Sequence, residues 1–342
     1  MLSNMSNKIA VVGCGAAVEK LYVPHLQQKL RDKVSLIFVD QDINRAKLYA
    51  KKFSGSYASS ITMAYKNGAE GAIIATPHPS HLELAKEALS NQMHVLVEKP
   101  ATVDAGEAME LVSIAASSEA SVSVNHSRRL FPSFGYVKKI IDNKTYGTVK
   151  SISIIDGSPF SWPTVSGFYL TSEKAKGVLL DRGSHMLDIL CWWLSNDEFD
   201  IVSSSHDGFN GPESNFKLSL KSSSKVNIEY SLSRLFKLKN EIIISMDLVD
   251  IRVKLFSWNE LEIRKLGGSW KKITLTPDGK KVIEYEEFVG KLVDNFIEVL
   301  NGHKKPIAGI EDVLPSISLI SRAYEMAKPF ELEWYSDWVD NG

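Results

Sequence analysis

Apolar positions in the first third of the chain fall in short dense runs: KIAVVGCG (8–15), VSLIFVD (34–40), GAIIATP (71–77), HVLVEKP (94–100) and SVSVNH (121–126). Such runs predict strands buried on both faces. Residues 17–30, 42–53, 80–91 and 104–118 lie between or after them with the apolar spacing of helices. Strands alternating with helices predict right-handed βαβ crossovers and a parallel sheet covered on both sides. From residue 148 the period changes. GTVKSISIID begins a strand, and GVLLDRGSHMLDILCWWL (177–194) reads as a helix. Residues 216–234, 240–256, 259–266 and 270–277 then alternate apolar and polar positions, the pattern of strands with one buried face. TPDGKK (276–281) carries an Asp-Gly turn signal. Helical patterns at 284–301 and 310–327 close the chain.

The fold class expected is α/β: an N-terminal doubly wound parallel sheet over 1–126, then an α+β domain over 127–342 with a largely antiparallel open sheet. The final helices are expected to pack back on the first domain. Composition narrows the class without changing the fold. Hydrophobic residues make up 44% and charged residues 24%, as in soluble globular proteins. Lys+Arg 40 against Asp+Glu 41 offers no basic field for nucleic acid or an anionic membrane. No apolar run approaches the roughly 18 residues of a spanning helix, and the N-terminus lacks the apolar core of a signal peptide. The reading is a cytoplasmic protein. Cys14 and Cys191 lie far apart, without the spacing of metal ligands or a disulfide framework.

Several motifs stand at strand ends. Gly13-x-Gly15 follows the first strand and precedes a helix, as a dinucleotide-phosphate turn requires; a purely structural turn is the alternative. Asp40 ends the second strand, where an acid can accept ribose hydroxyls and repel a 2′-phosphate. That favours NAD over NADP, with Arg45 nearby and an ordinary strand-end aspartate as the alternative. ATPHPSH (75–81) follows the third strand. Glu98-Lys99-Pro100 ends another, and Pro100 biases Lys99 toward an extended conformation that would project its side chain into the crevice. An ammonium there can stabilise developing alkoxide charge, although an isolated EKP is more simply a solvated ion pair.

The helix at 177–194 raises a different question, because charge inside an apolar segment is costly unless paired. Asp181, His185 and Asp188 are spaced i, i+4 and i+7, one helical face. An imidazole beside a carboxylate is suited to proton exchange; a structural hydrogen-bond network is the alternative. Asp and His at this spacing could also ligate zinc or iron, but no second ligand cluster accompanies them, so no metal is expected. Together the motifs fit hydride transfer at a carbinol carbon. The cofactor carries the hydride, Lys99 stabilises the oxygen, His185 exchanges the proton, and Asp181 orients substrate or imidazole.

The order of these motifs resembles the glucose–fructose oxidoreductase/inositol dehydrogenase (Gfo/Idh/MocA) family over nearly the whole chain. The resemblance rests on VVGCGAA, FVDQD, ATPHPSH, EKP, SRRLFP and the D-x-G-x-H-x-x-D form of Asp181, Gly183, His185 and Asp188. It implies a Rossmann domain, an NAD or, less favoured, NADP cofactor, a carbohydrate or cyclitol substrate, and a homodimer or homotetramer. It also implies Lys99 as catalytic lysine, Asp181 as a substrate-contacting acid and His185 as the proton-transfer residue. Ala16 and Ala17 would present N–H groups to the pyrophosphate. Thr76, Pro77, His78, His81, Glu98 and Lys99 would line the cofactor crevice, and Arg128 and Trp162 the substrate or nicotinamide pocket. Three positions differ from the family pattern. Val18 stands where a small residue is usual, His78 where asparagine is common, and only Gly177 remains of a glycine run before the acid. Two other functions fit the same residues: NAD-dependent, redox-assisted glycoside cleavage, and a non-catalytic dinucleotide-binding regulator.

Overall fold

The computed structural model describes residues 7–163, 168, 175–208, 211–275 and 284–331. The chain divides into two compact units, Met1–Phe131 with Pro163–Val165 and Asp278–Ser318, and Pro132–Trp162 with Ser166–Pro277 and Leu319–Gly342.

In the first unit the dense apolar runs form strands β1 (Asn7–Val12), β2 (Val34–Val39), β4 (Gly71–Ile74), β5 (His94–Val97) and β6 (Val122–Val124). A short strand, β3 (Ser56–Ala58), completes a parallel sheet in the order β3-β2-β1-β4-β5-β6. Helices alternate with the strands: α1 (Val23–Lys29), α2 (Ile43–Lys52), α3 (Ile61–Lys66), α4 (His81–Ser90) and α5 (Ala105–Ala116). The α3 helix, absent from the sequence reading, starts where the Ser60 side chain accepts the Met63 N–H.

Alternation along β1 sends its side chains to two cores. Ala10 and Val12 join one cluster with Leu82, Ala85 and Leu111 of α4 and α5. Ile9 and Val11 join the other with Leu26 of α1 and with Val289, Val293 and Phe296. Those last three belong to a helix near the end of the chain, Tyr285–Leu300, so this core includes residues nearly the whole sequence apart.

The second unit opens with α6 (Pro132–Asp142) and β7 (Val149–Gly157). Its segment 178–193 is helical and ends as α7 (Ser184–Trp193). The alternating stretches become β8 (Phe199–His206), β9 (Asn215–Ser222), β10 (Asn227–Ser233), β11 (Glu241–Met246), β12 (Val249–Lys254), β13 (Glu260–Lys265) and β14 (Lys271–Thr274). With β15 (Lys328–Pro329) they form a sheet ordered β14-β13-β12-β11-β7-β10-β9-β8-β15. Pairing is antiparallel except between β7 and β10 and between β8 and β15. The fold class expected from the sequence is the one observed. Trp193 of α7 donates its indole N–H to the Phe134 carbonyl of α6 at 3.0 Å. The Asp-Gly turn at 276–281 lies outside the described residues. The helix Tyr285–Leu300 is α8, and α9 covers Ile310–Met326. Among the described residues no helix is long and apolar enough to cross a membrane.

Candidate active site

Parallel pairing positions the part of the site in the first unit. Val12 pairs with Val39 and Ile74, Ile74 with Val97, and Val97 with Val124. The residues that follow, Asp40, Gly13, Ala75, Glu98 and Asn125, therefore share the carboxyl edge of the sheet, where ligands of open α/β sheets bind. The ladder continues into them. The Gly13 N–H donates to the Val39 carbonyl at 2.8 Å, Glu98 to Ile74 at 2.9 Å and Asn125 to Val97 at 2.8 Å.

Gly13 has φ +94°, and a Cβ there would lie 2.7 Å from the Ala75 carbonyl oxygen, so only glycine lets the chain leave β1 this close to the exit of β4. At Gly15 an added Cβ would meet nothing within 4 Å. The approach to the next turn is open there. Ala16 and Ala17 begin that turn, and N–H groups at a helix start have no carbonyl one turn back. Such a start suits an anionic diphosphate. Val18 is fully buried in the cluster containing Ile9 and Val11, so its bulk goes into the core.

Asp40 is tied to the glycine turn. One of its oxygens accepts the Cys14 N–H at 2.8 Å and the other accepts the Asp42 N–H at 2.9 Å. Asp42, rather than Asp40, caps α2 through the Asn44 N–H. An ionised carboxylate has about four acceptor sites, which leaves capacity for ribose hydroxyls. Burial, with the Asp40 charge, pushes the Cys14 thiol up to about 12, so Cys14 is an inert packing residue.

The turn after β4 is held from within. Thr76 Oγ1 and Ser80 Oγ lie 2.7 Å apart, and Ser80 Oγ donates to the Pro77 carbonyl at 2.8 Å. His78 and His81 are both buried. His81 places Nδ1 2.9 Å from the Pro100 carbonyl oxygen and Nε2 2.9 Å from that of Thr76. Burial lowers its pKa and the two carbonyls oppose that shift. The imidazole therefore joins the turn after β4 to the turn that carries Lys99.

Glu98 is fixed on both oxygens. Tyr22 Oη donates to Oε1 at 2.7 Å, Asn125 Nδ2 donates to the same oxygen at 2.7 Å, and the Lys99 N–H donates to Oε2 at 3.1 Å. Asn125 Nδ2 also reaches Tyr22 Oη at 2.8 Å. Burial first, then the Glu98 charge, raises the Tyr22 pKa well above its ordinary value, so the phenol remains a donor. The sequence reading missed Tyr22 and Asn125; a polar residue closing the apolar run SVSVNH was the available signal. Lys99 is half-buried beside this network. Arg128 lies in the 3₁₀ turn Ser127–Leu130 just after β6, with Nη1 buried and without a hydrogen-bond partner among the described residues.

In the second unit a π-helical turn, Leu179–Gly183, leads into α7. Asp181 and His185 are half-buried, whereas Asp188 is 1% exposed. Asp181 belongs to the π turn, and His185 and Asp188 to α7. Arg182 Nε donates to Asp156 Oδ1 of β7 at 2.6 Å, and its Nη1 donates to Ser158 Oγ at 2.6 Å. Asp156 is fully buried, so this ion pair supplies the partner its charge requires. It anchors the turn carrying Asp181, and periodicity gave no hint of it. Trp162, 38% exposed, belongs to this unit.

Residues 7–126 match the profile of the oxidoreductase family with an NAD-binding Rossmann fold, and residues 134–250 match the Gfo/Idh/MocA C-terminal domain. The chain belongs to the Gfo/Idh/MocA family. Residues 7–126 are the NAD(P)-binding Rossmann domain of that family. Among curated relatives, an uncharacterized oxidoreductase of Synechocystis is 29% identical over 188 residues, 54% of this chain and 50% of the relative. Glucose-6-phosphate 3-dehydrogenase of Bacillus subtilis is 26% identical over 199 residues, 56% of this chain and 55% of the relative. The chain thus spans about half the length of these relatives. A 3-ketoreductase from Actinomadura kijaniata, solved with NADP and TDP-benzene, superposes with TM-score 0.81 at 17% identity, covering 96% of this chain and 99% of that one. An oxidoreductase from Agrobacterium radiobacter, solved with NAD+, L-tartaric acid and magnesium, superposes with TM-score 0.78 at 19% identity, covering 94% and 96%. At those identities the two structures bear on the fold alone.

Proposed function

We propose that this chain is an oxidoreductase that moves a hydride between a nicotinamide cofactor and a secondary hydroxyl, or the matching ketone, of a sugar, cyclitol or nucleotide-linked sugar. The observation that carries the proposal is Lys99 at the carboxyl end of β5, on the sheet edge shared by the glycine turn and Asp40, with Glu98 beside it fixed on both oxygens. Family membership and the sugar-phosphate relative support the substrate class.

Gly13, Gly15, Ala16, Ala17 and Asp40 would hold the dinucleotide, which supplies the hydride acceptor or donor when bound. The Lys99 ammonium donates a hydrogen bond to the reacting oxygen and stabilises its developing negative charge. His185 takes the hydroxyl proton in oxidation and returns it in reduction. Asp181 orients the substrate or the imidazole. The Asp40 carboxylate favours NAD, because a 2′-phosphate would face its negative charge.

A panel of sugars and cyclitols including glucose 6-phosphate and myo-inositol, followed at the nicotinamide absorbance, tests the reading. Lys99→Met lowers kcat by about 100-fold or more while the NAD Kd stays within a few-fold. Undiminished turnover in that variant would refute the role of Lys99.

A further inference from the structure

The helical segment that carries Asp181 and His185 begins against two residues from distant parts of the second unit. A helix start leaves its first N–H groups without carbonyl partners. Here each of the first four is occupied. The Val178 N–H donates to the Glu213 carbonyl at 3.0 Å, and the Leu179 N–H donates to Glu213 Oε1 at 2.9 Å. Tyr324 Oη accepts the Leu180 N–H at 3.1 Å and the Gly177 N–H at 3.3 Å, and donates its own proton to Glu213 Oε1 at 2.8 Å. One donor and two acceptor sites use up what a phenol hydroxyl offers.

The fit between carboxylate and backbone leaves no spare room. A Cβ at Gly177 would lie 1.7 Å from Glu213 Oε2, so any other residue would drive the carboxylate out. Gly177 is the glycine that remains before the acid in KAKGVLLD, and this contact gives it a function. Glu213 is 5% exposed, and Phe216 of β9 packs edge-on against the Tyr324 ring at 5.8 Å.

We propose that Glu213 and Tyr324 are positioning residues, a clamp that sets the start of the helical turn and thereby the placement of Asp181 and His185. The proposal rests on the catalytic reading of those two side chains. Neither clamp residue touches substrate. The clamp acts through the backbone: the Asp181 N–H donates to the Gly177 carbonyl at 3.1 Å, so a shift at Gly177 passes to Asp181 directly. A buried glutamate with one oxygen accepting from both a backbone N–H and a phenol is otherwise a costly way to begin a helix.

The variants are Tyr324→Phe, Glu213→Ala and Glu213→Gln, the last keeping an acceptor oxygen for Leu179 and Tyr324. Hydrogen exchange of the amides of 177–181 and NMR titration of His185 in the NAD-saturated protein, assigned with His185→Gln, need no substrate. Tyr324→Phe and Glu213→Ala should speed exchange at those amides about tenfold and move the His185 titration midpoint, with Glu213→Gln close to wild type. With the panel substrate turned over fastest, Tyr324→Phe should lower kcat by about tenfold and leave KM for NAD unchanged. Wild-type exchange and an unmoved His185 titration in both Tyr324→Phe and Glu213→Ala would overturn the clamp. Full turnover by His185→Gln would instead sink the catalytic reading, whatever the exchange data show.

Discussion

Glu213 carries a pH signature that separates its charge from its shape. Burial raises its pKa above the ordinary 4.5, while the Leu179 N–H, the Tyr324 hydroxyl and the nearby His206 oppose that shift. The folded chain therefore binds this proton more tightly than the unfolded chain does. The resulting stability is full below pH 4.5 and is lost as pH rises through the raised value. Within that window the loss approaches about 1.4 kcal/mol per pH unit. Glu213→Gln removes the dependence, so urea unfolding should show wild type losing ground to the variant between pH 4.5 and the raised value. Parallel profiles for the two would show that Glu213 titrates as an ordinary surface acid. At this scale the sequence exposed the residues whose chemistry contrasts with their surroundings: Lys99 at a strand end, Asp181 and His185 in an apolar helix. It hid Tyr22, Asn125, Glu213 and Tyr324. Each acts through a partner far along the chain, and one sequence carries no pairing information.

Elements were legible where periodicity was long. The predicted helices at 284–301 and 310–327 appear as Tyr285–Leu300 and Ile310–Met326. The strand readings of the first unit ran past the observed strands, 71–77 against Gly71–Ile74 and 94–100 against His94–Val97. The first surplus residues, Ala75 and Glu98, still donate to the ladder, and those after them form the turns of the site. Strand β8, FDIVSSSH, escaped because its serines blur the alternation. The most consequential element is α8. Phe296 is fully buried against the sheet of the first unit, and Gly71 of β4 makes the space: a Cβ there would lie 3.0 Å from the Phe296 ring and from Leu300. Phe296→Ala should cost about 3–5 kcal/mol, read as a lower urea midpoint with an unchanged slope. A loss under about 1 kcal/mol would mean that the core closes without α8.

At the scale of the whole molecule, the first unit is assembled from segments early and late in the chain, so occupancy of its cofactor site reports on the stability of both segments. A ligand that binds only the folded state at 100 times its Kd stabilises by about 2.7 kcal/mol. NAD should therefore raise Tm clearly, and NADP at the same concentration should raise it less, because in the proposed binding mode the 2′-phosphate would face Asp40. Asp40→Asn separates charge from scaffold. It keeps one acceptor oxygen and loses the other, which weakens the ties to Cys14 and Asp42 and lowers the Tm of the free protein. That penalty cancels when each cofactor shift is measured against the same ligand-free variant. The gap between the NAD and NADP shifts should then narrow in Asp40→Asn by about the tenfold in relative affinity that 1.4 kcal/mol represents. An unchanged gap would place the discrimination elsewhere, and Arg45, whose charge already reaches Cys14, would be the next residue to change.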